Sequence, residues 1–167
     1  FKGLLRAAEV DFKDNDSVTL KLKDGTEIRG EYDMVLDGKV DDVKSASPWS
    51  YKNKFNTFET LAKSDSFGYV SQLVGYAEAA GLDVGGWWVV NKANGEFKYV
   101  DASSVDKDAV IENIEDTVGY INEDKPFKRC FEAIPETHFR KQTGNLKLGS
   151  ECGFCSFKHK CWPNLQT

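Results

Sequence analysis

Two Asp-Gly pairs, Asp24-Gly25 and Asp37-Gly38, separate alternating segments and constrain the front of this chain more than any other feature. Asp-Gly between alternating runs signals a tight hairpin, because the central turn positions need positive φ. Ahead of the first pair, Ser17 to Lys23 sets Val18, Leu20 and Leu22 against Thr19, Lys21 and Lys23, the period of a half-buried strand. The next strand is expected from about Glu27 to Leu36, and a third from Lys39 to Lys44. Three strands joined by two tight turns read as an antiparallel meander.

Helical signals lie on both sides of this block. Phe1 to Val10 places Leu4, Leu5 and Ala8 on one face. Ser47-Pro48 breaks the strand pattern, and residues 49–66 read as a loop with a short helix. A helix is expected over Phe67 to Ala80, capped by Ser66 and closed by Gly81, with Val70, Leu73, Val74, Ala77 and Ala80 as its buried stripe. Trp87 to Val90 and Glu96 to Val100 read as two further strands about an Ala-Asn-Gly turn, with Trp87 and Trp88 as core and sheet-face residues. Ser103 or Ser104 would cap a long helix to about Asn122, with Val110, Ile111, Ile114, Val118 and Ile121 inward. Helices between groups of strands imply an α/β fold with one mixed sheet. A length of 167 residues suits one ordinary domain, and no apolar run reaches the ~18 residues of a membrane span. A first residue of Phe rather than Met reads as the start of a fragment or processed piece.

The charge is unevenly spread. Residues 1–124 hold 14 Lys/Arg against 24 Asp/Glu, whereas residues 125–167 hold 8 against 3. The net charge of −5 argues against a general nucleic-acid coat. An acidic body with a basic tail fits a metal-carboxylate site beside a phosphate-tracking surface, or simply a solvated acidic face and a chance basic end. The organisation expected is a core over 1–124 and a cysteine-rich, irregular tail over 125–167 packed on it.

Within Gly30 to Ser47, Asp42 and Lys44 share one face of a strand, and folding about Asp37-Gly38 brings Asp33 opposite roughly Asp42. Two acids opposed across a strand pair repel, and a divalent cation would relieve this. An exposed hairpin whose charges face water is the other reading. On the following helix, Gln72 and Tyr76 share a face away from the apolar stripe, suited to a phosphate or a base, or to an ordinary helix surface. Trp49, Tyr51, Lys52, Lys54 and Phe55 come soon after the third strand, and rings interleaved with lysines can stack bases or merely pack a loop.

Gly30-x-x-Asp33, then Asp42-x-Lys44, then Gln72-x-x-x-Tyr76 resembles the PD-(D/E)XK nuclease superfamily, in particular its RecB-like branch. The resemblance implies a restriction-endonuclease-like mixed sheet flanked by helices. It implies that Asp33 and Asp42 ligate Mg²⁺ or Mn²⁺, with the Val43 carbonyl as a third ligand. Lys44 would be the catalytic lysine, and Gln72 and Tyr76 would organise the site and the DNA. Members of this branch usually carry a further upstream His or Glu ligand. His138 and His159 lie far downstream, and Glu9 is the nearest candidate.

All four cysteines, Cys130, Cys152, Cys155 and Cys161, fall near the C-terminal end. Such clustering, with a C-x2-C step, suggests a metal or cluster site in a reducing compartment. Cys152, Cys155 and Cys161 with either Cys130 or His159 could hold tetrahedral Zn²⁺. The spacing C-x2-C-x5-C also resembles the C-terminal motif of iron–sulfur nucleases in the RecB-like branch, which implies a [4Fe–4S] cluster needing a fourth thiolate, either Cys130 or a cysteine in an N-terminal part ahead of the core.

The expectation is a Mg²⁺- or Mn²⁺-dependent DNA nuclease of recombination, replication or repair. An exonuclease is preferred, by similarity to bacteriophage-encoded exonucleases of the branch, acting in the cytoplasm or host cytoplasm. Other proteins of these processes are expected partners. A non-catalytic DNA-binding module and a metal-stabilised assembly domain are the alternatives.

Overall fold

A short helix, α1 (Lys2–Ala7), opens the computed structural model, which describes residues 1–123 and 129–164. The first Asp-Gly turn, with Gly25 at φ 86°, joins the antiparallel strands β1 (Asp16–Lys21) and β2 (Glu27–Tyr32). At the second turn Asp37 and Gly38 both adopt positive φ, 50° and 76°, as a two-residue hairpin requires. It joins β3 (Met34–Leu36) to β4 (Lys39–Ala46) in the register Met34 with Asp41 and Leu36 with Lys39.

The expected single strand over Glu27 to Leu36 is interrupted at Asp33. β2 stays with β1 in a two-stranded sheet, while β3 joins a separate four-stranded sheet. The meander is thus divided between two sheets. The break coincides with a side-chain bond: Asp33 Oδ2 accepts the N–H of Val43 at 2.7 Å where the β3–β4 ladder stops.

The larger sheet runs β3-β4-β5-β6, with β5 (Asp83–Asn91) and β6 (Phe97–Asp101). β4 and β5 are parallel and the outer pairs antiparallel, so the sheet is mixed. A parallel neighbour needs a long crossover. Here it comprises α2 (Pro48–Asn53), α3 (Phe58–Lys63) and α4 (Tyr69–Ala80). Ser47 and Thr57 cap the two short helices, accepting the N–H groups of Ser50 and Thr60. α4 begins two residues later than the sequence suggests. Its N-cap residue is Gly68 rather than Ser66, and the carboxylate of Asp65 accepts the first two N–H groups, those of Tyr69 and Val70, at 2.9 and 2.8 Å. Gly81, at φ 65°, closes it. Leu73, Val74 and Ala77 of α4 are buried in one core with Leu61, Trp87, Val40 and Val89. α5 (Lys107–Asn122) follows, with Asp106 rather than a serine accepting the N–H of Ala109. Val110 and Ile111 pack on the core, whereas Ile121 is exposed.

The chain divides into two compact units, residues 1–119 and 120–167. The expected boundary after residue 124 lies outside the described residues. The second unit is not the irregular tail anticipated. It contains an antiparallel hairpin, β7 (Ile134–His138) and β8 (Lys141–Lys147), then two short helices, α6 (Ser150–Gly153) and α7 (Lys158–Cys161). The hairpin turn is built from Phe139 and Arg140 at φ 47° and 64°, without the glycine or asparagine that would announce it. Among the described residues no helix is long and apolar enough to cross a membrane.

Candidate active site

Asp41 and Asp42 are successive residues of a central strand, so they face opposite sides of the sheet. Asp42 and Lys44 share a face. Lys44 Nζ donates to Asp42 Oδ1 at 3.1 Å and lies 2.9 Å from Oδ2. It also donates to Gln72 Oε1 at 2.9 Å, and Gln72 Nε2 donates to the Tyr76 hydroxyl at 3.1 Å. One polar chain therefore runs from the strand to the exposed side of α4. Asp33 meets it from the hairpin. Its carboxylate takes the Val43 N–H and acts on Asp42 as a neighbouring like charge. The structure thus brings together Asp33, Asp42, Val43, Lys44, Gln72 and Tyr76.

Gly30 has a steric role here. A Cβ at this position would run into the ring of Tyr76, so glycine lets the tyrosine lie against β2. Tyr69, not anticipated from the sequence, also contributes: its ring centroid lies 5.0 Å from Lys44 Nζ, a cation–π contact. Glu9 is not brought to this chain. It is exposed, at φ 55°, just beyond α1, and no hydrogen bond or ion pair joins it to Asp33, Asp42 or Lys44 among the described residues.

Asp42 is 4% exposed. Burial pushes its carboxyl above the ordinary range, Lys44 pulls it back, and Asp33 raises it again. Oδ2 is buried and receives no hydrogen bond among the described residues, although Lys44 Nζ is near it. A buried carboxylate beside a second carboxylate is the kind of oxygen donor set that a hard divalent cation takes. The acid pair fits Mg²⁺ or Mn²⁺ on that ground.

On the opposite face Asp41 is fully engaged. Its Oδ1 accepts the Gly86 N–H at 2.8 Å and the Tyr99 hydroxyl at 2.9 Å, and its Oδ2 accepts Trp88 Nε1 at 3.1 Å. The parallel register slips between Val40 and Asp42, where β5 carries Gly85-Gly86. A Cβ on Gly85 would collide with the Asp41 carboxylate, so the glycine pair makes the room this buried acid needs. The sequence signal was present as a double glycine in a strand, which often marks a bulge or close approach.

In the second unit, Cys152 is buried, Cys155 and Cys161 are half-buried, and Cys130 is exposed. Burial holds the Cys152 thiol above its ordinary value, and Cys155, Cys161, Glu151 and Cys130 raise it further, in that order. The Phe157 N–H points at Cys155 Sγ at 3.4 Å, a donor suited to a ligating thiolate. Arg129 Nε donates to the Cys161 carbonyl at 3.0 Å while its guanidinium lies over Trp162. Among the described residues no three His, Cys, Asp or Glu side chains are gathered as a metal-holding group; the cysteine spacing and the N–H donor to Cys155 are what suit a [4Fe–4S] cluster or Zn²⁺.

No model of a known protein family matches the chain, and no similar curated protein was found.

Proposed function

We propose that the unit over residues 1–119 is a Mg²⁺- or Mn²⁺-dependent DNA nuclease of the PD-(D/E)XK type, RecB-like branch, acting on DNA ends. The observation that carries this reading is the convergence of Asp33, Asp42 and Lys44 at one spot, with Asp42 buried and ion-paired to Lys44. Asp33 and Asp42 would hold the cation, with the Val43 carbonyl completing the protein ligands. When bound, it supplies Lewis acidity at the scissile phosphate and lowers the pKa of water. Lys44 holds its ammonium group where negative charge develops during in-line attack, and Gln72 and Asp42 fix its position. Tyr76 in turn holds Gln72. The four cysteines would bind a [4Fe–4S] cluster, with Zn²⁺ as the alternative, and would tie together a unit whose hairpin is largely exposed.

End-labelled linear and closed circular DNA, incubated with Mn²⁺ or with chelator, test the reading on the wild type and on Lys44→Gln. Cleavage of linear DNA by the wild type alone, abolished by chelator, is expected. Binding without cleavage by the wild type would instead favour a non-catalytic DNA-binding module.

A further inference from the structure

We propose that Lys54, Phe67 and Tyr69 form a stacking platform that takes an unpaired stretch of DNA strand up to Lys44, an inference that rests on the nuclease reading above. Three rings step outward from the core. Phe55 is buried, Tyr69 is half-buried with centroids 5.8 Å apart, and Phe67 follows at 5.9 Å from Tyr69 with an interplanar angle of 30°. Phe67 is 62% exposed, so its outer side is open to solvent. The arrangement follows from the entry to α4. Gly68 turns the chain at φ 71° while Asp65 anchors the N–H groups of Tyr69 and Val70, which holds the rings of residues 67 and 69 side by side.

Cations accompany the rings. Lys54 Nζ lies 4.7 Å from the Tyr69 centroid and 4.8 Å from that of Phe67. Lys44 Nζ lies 5.0 Å from the same Tyr69 ring. The platform is therefore continuous with the acid–lysine chain and shares Tyr69 with it. Aromatic faces interleaved with ammonium groups are the combination that binds single strands without sequence preference: the rings stack bases and the cations hold the backbone. A duplex conceals the faces of its bases in its own stack, so an exposed phenyl ring selects for unpaired nucleotides.

Fluorescence anisotropy on the full chain tests this in chelator, where no cleavage occurs, using a labelled oligothymidine and a labelled hairpin duplex. Phe67→Ala is expected to weaken oligothymidine binding about 5- to 150-fold, the worth of one stacked base. Phe67→Trp restores it, and duplex binding changes little in either variant. Lys54→Gln lowers the salt slope of single-strand binding by about 0.7, one phosphate contact. Unchanged single-strand affinity in Phe67→Ala, an equal loss on the duplex, or no single-strand binding by the wild type overturns the platform. Failure of the nuclease reading looks different: Phe67-dependent binding survives, while Mn²⁺ produces no cleavage by the wild type.

Discussion

Asp41 and Asp42 are chemically identical neighbours, and the sheet gives them opposite work. Asp41 spends its oxygens on Gly86, Trp88 and Tyr99, which makes it a structural acid. Tyr99→Phe removes one hydrogen bond to a buried charge and should lower stability by about 1–3 kcal/mol in denaturant unfolding, without changing cleavage. Asp42 instead faces Lys44, whose Nζ lies within 3.1 Å of both its oxygens. Burial raises both carboxyls above the unfolded value of 3.8. A raised acid favours the fold in its protonated form. That contribution is complete below the unfolded pKa and is lost as pH rises through the folded one. At neutral pH an ionised Asp42 therefore opposes folding, and a bound cation would offset this. The rise in melting temperature produced by Mn²⁺ should thus shrink on acidification at a higher pH than an ordinary carboxylate site would show. Thermal melts in Mn²⁺ from pH 8 down to pH 5 check this, and Asp42→Asn should show no rise at any pH. Lys44→Ala and Lys44→Gln both remove the cation beside Asp42, but the glutamine amide keeps an N–H donor for the buried carboxylate, so Lys44→Gln is the cleaner probe of catalysis.

Elements were legible where pattern and punctuation agreed. Asp37-Gly38 placed the β3–β4 hairpin, and the three- and four-residue spacing of Leu73, Val74 and Ala77 placed α4. Strand period put Asp42 and Lys44 on one face, the Asp37-Gly38 turn set Asp33 opposite Asp42, and helix period paired Gln72 with Tyr76; that the two sets belong to one site was implied by the resemblance alone. Other features depended on tertiary contacts that spacing does not encode. The break at Asp33 follows from its bond to Val43, ten residues away. The β7–β8 hairpin turns on Phe139 and Arg140, residues that carry no turn signal. Glu9 shows the same kind of hidden role. Its N–H bonds the Arg6 carbonyl, and the Val10 N–H bonds that of Leu5, the pattern of a Schellman close with Glu9 in the left-handed position usually held by glycine. Glu9→Gly should therefore stabilise the protein by about 1 kcal/mol and retain cleavage. Denaturant unfolding and the end-labelled DNA assay read the two effects.

At the scale of the whole molecule, the acid–lysine pair lies in the unit over residues 1–119 and the four cysteines in the unit over residues 120–167. The thiol quartet should give a broad absorption near ~400 nm in protein purified without air, if iron–sulfur fills it. A colourless protein containing about one zinc identifies the alternative, and Cys152→Ser should lose the metal in either case. The central claim concerns the first unit, and calorimetric titration of Mn²⁺ into protein whose thiol quartet is already loaded tests it most directly. The account predicts binding to the wild type that disappears in Asp42→Asn and weakens in Asp33→Asn. Equal Mn²⁺ binding by the wild type and Asp42→Asn, or none by the wild type, would contradict it.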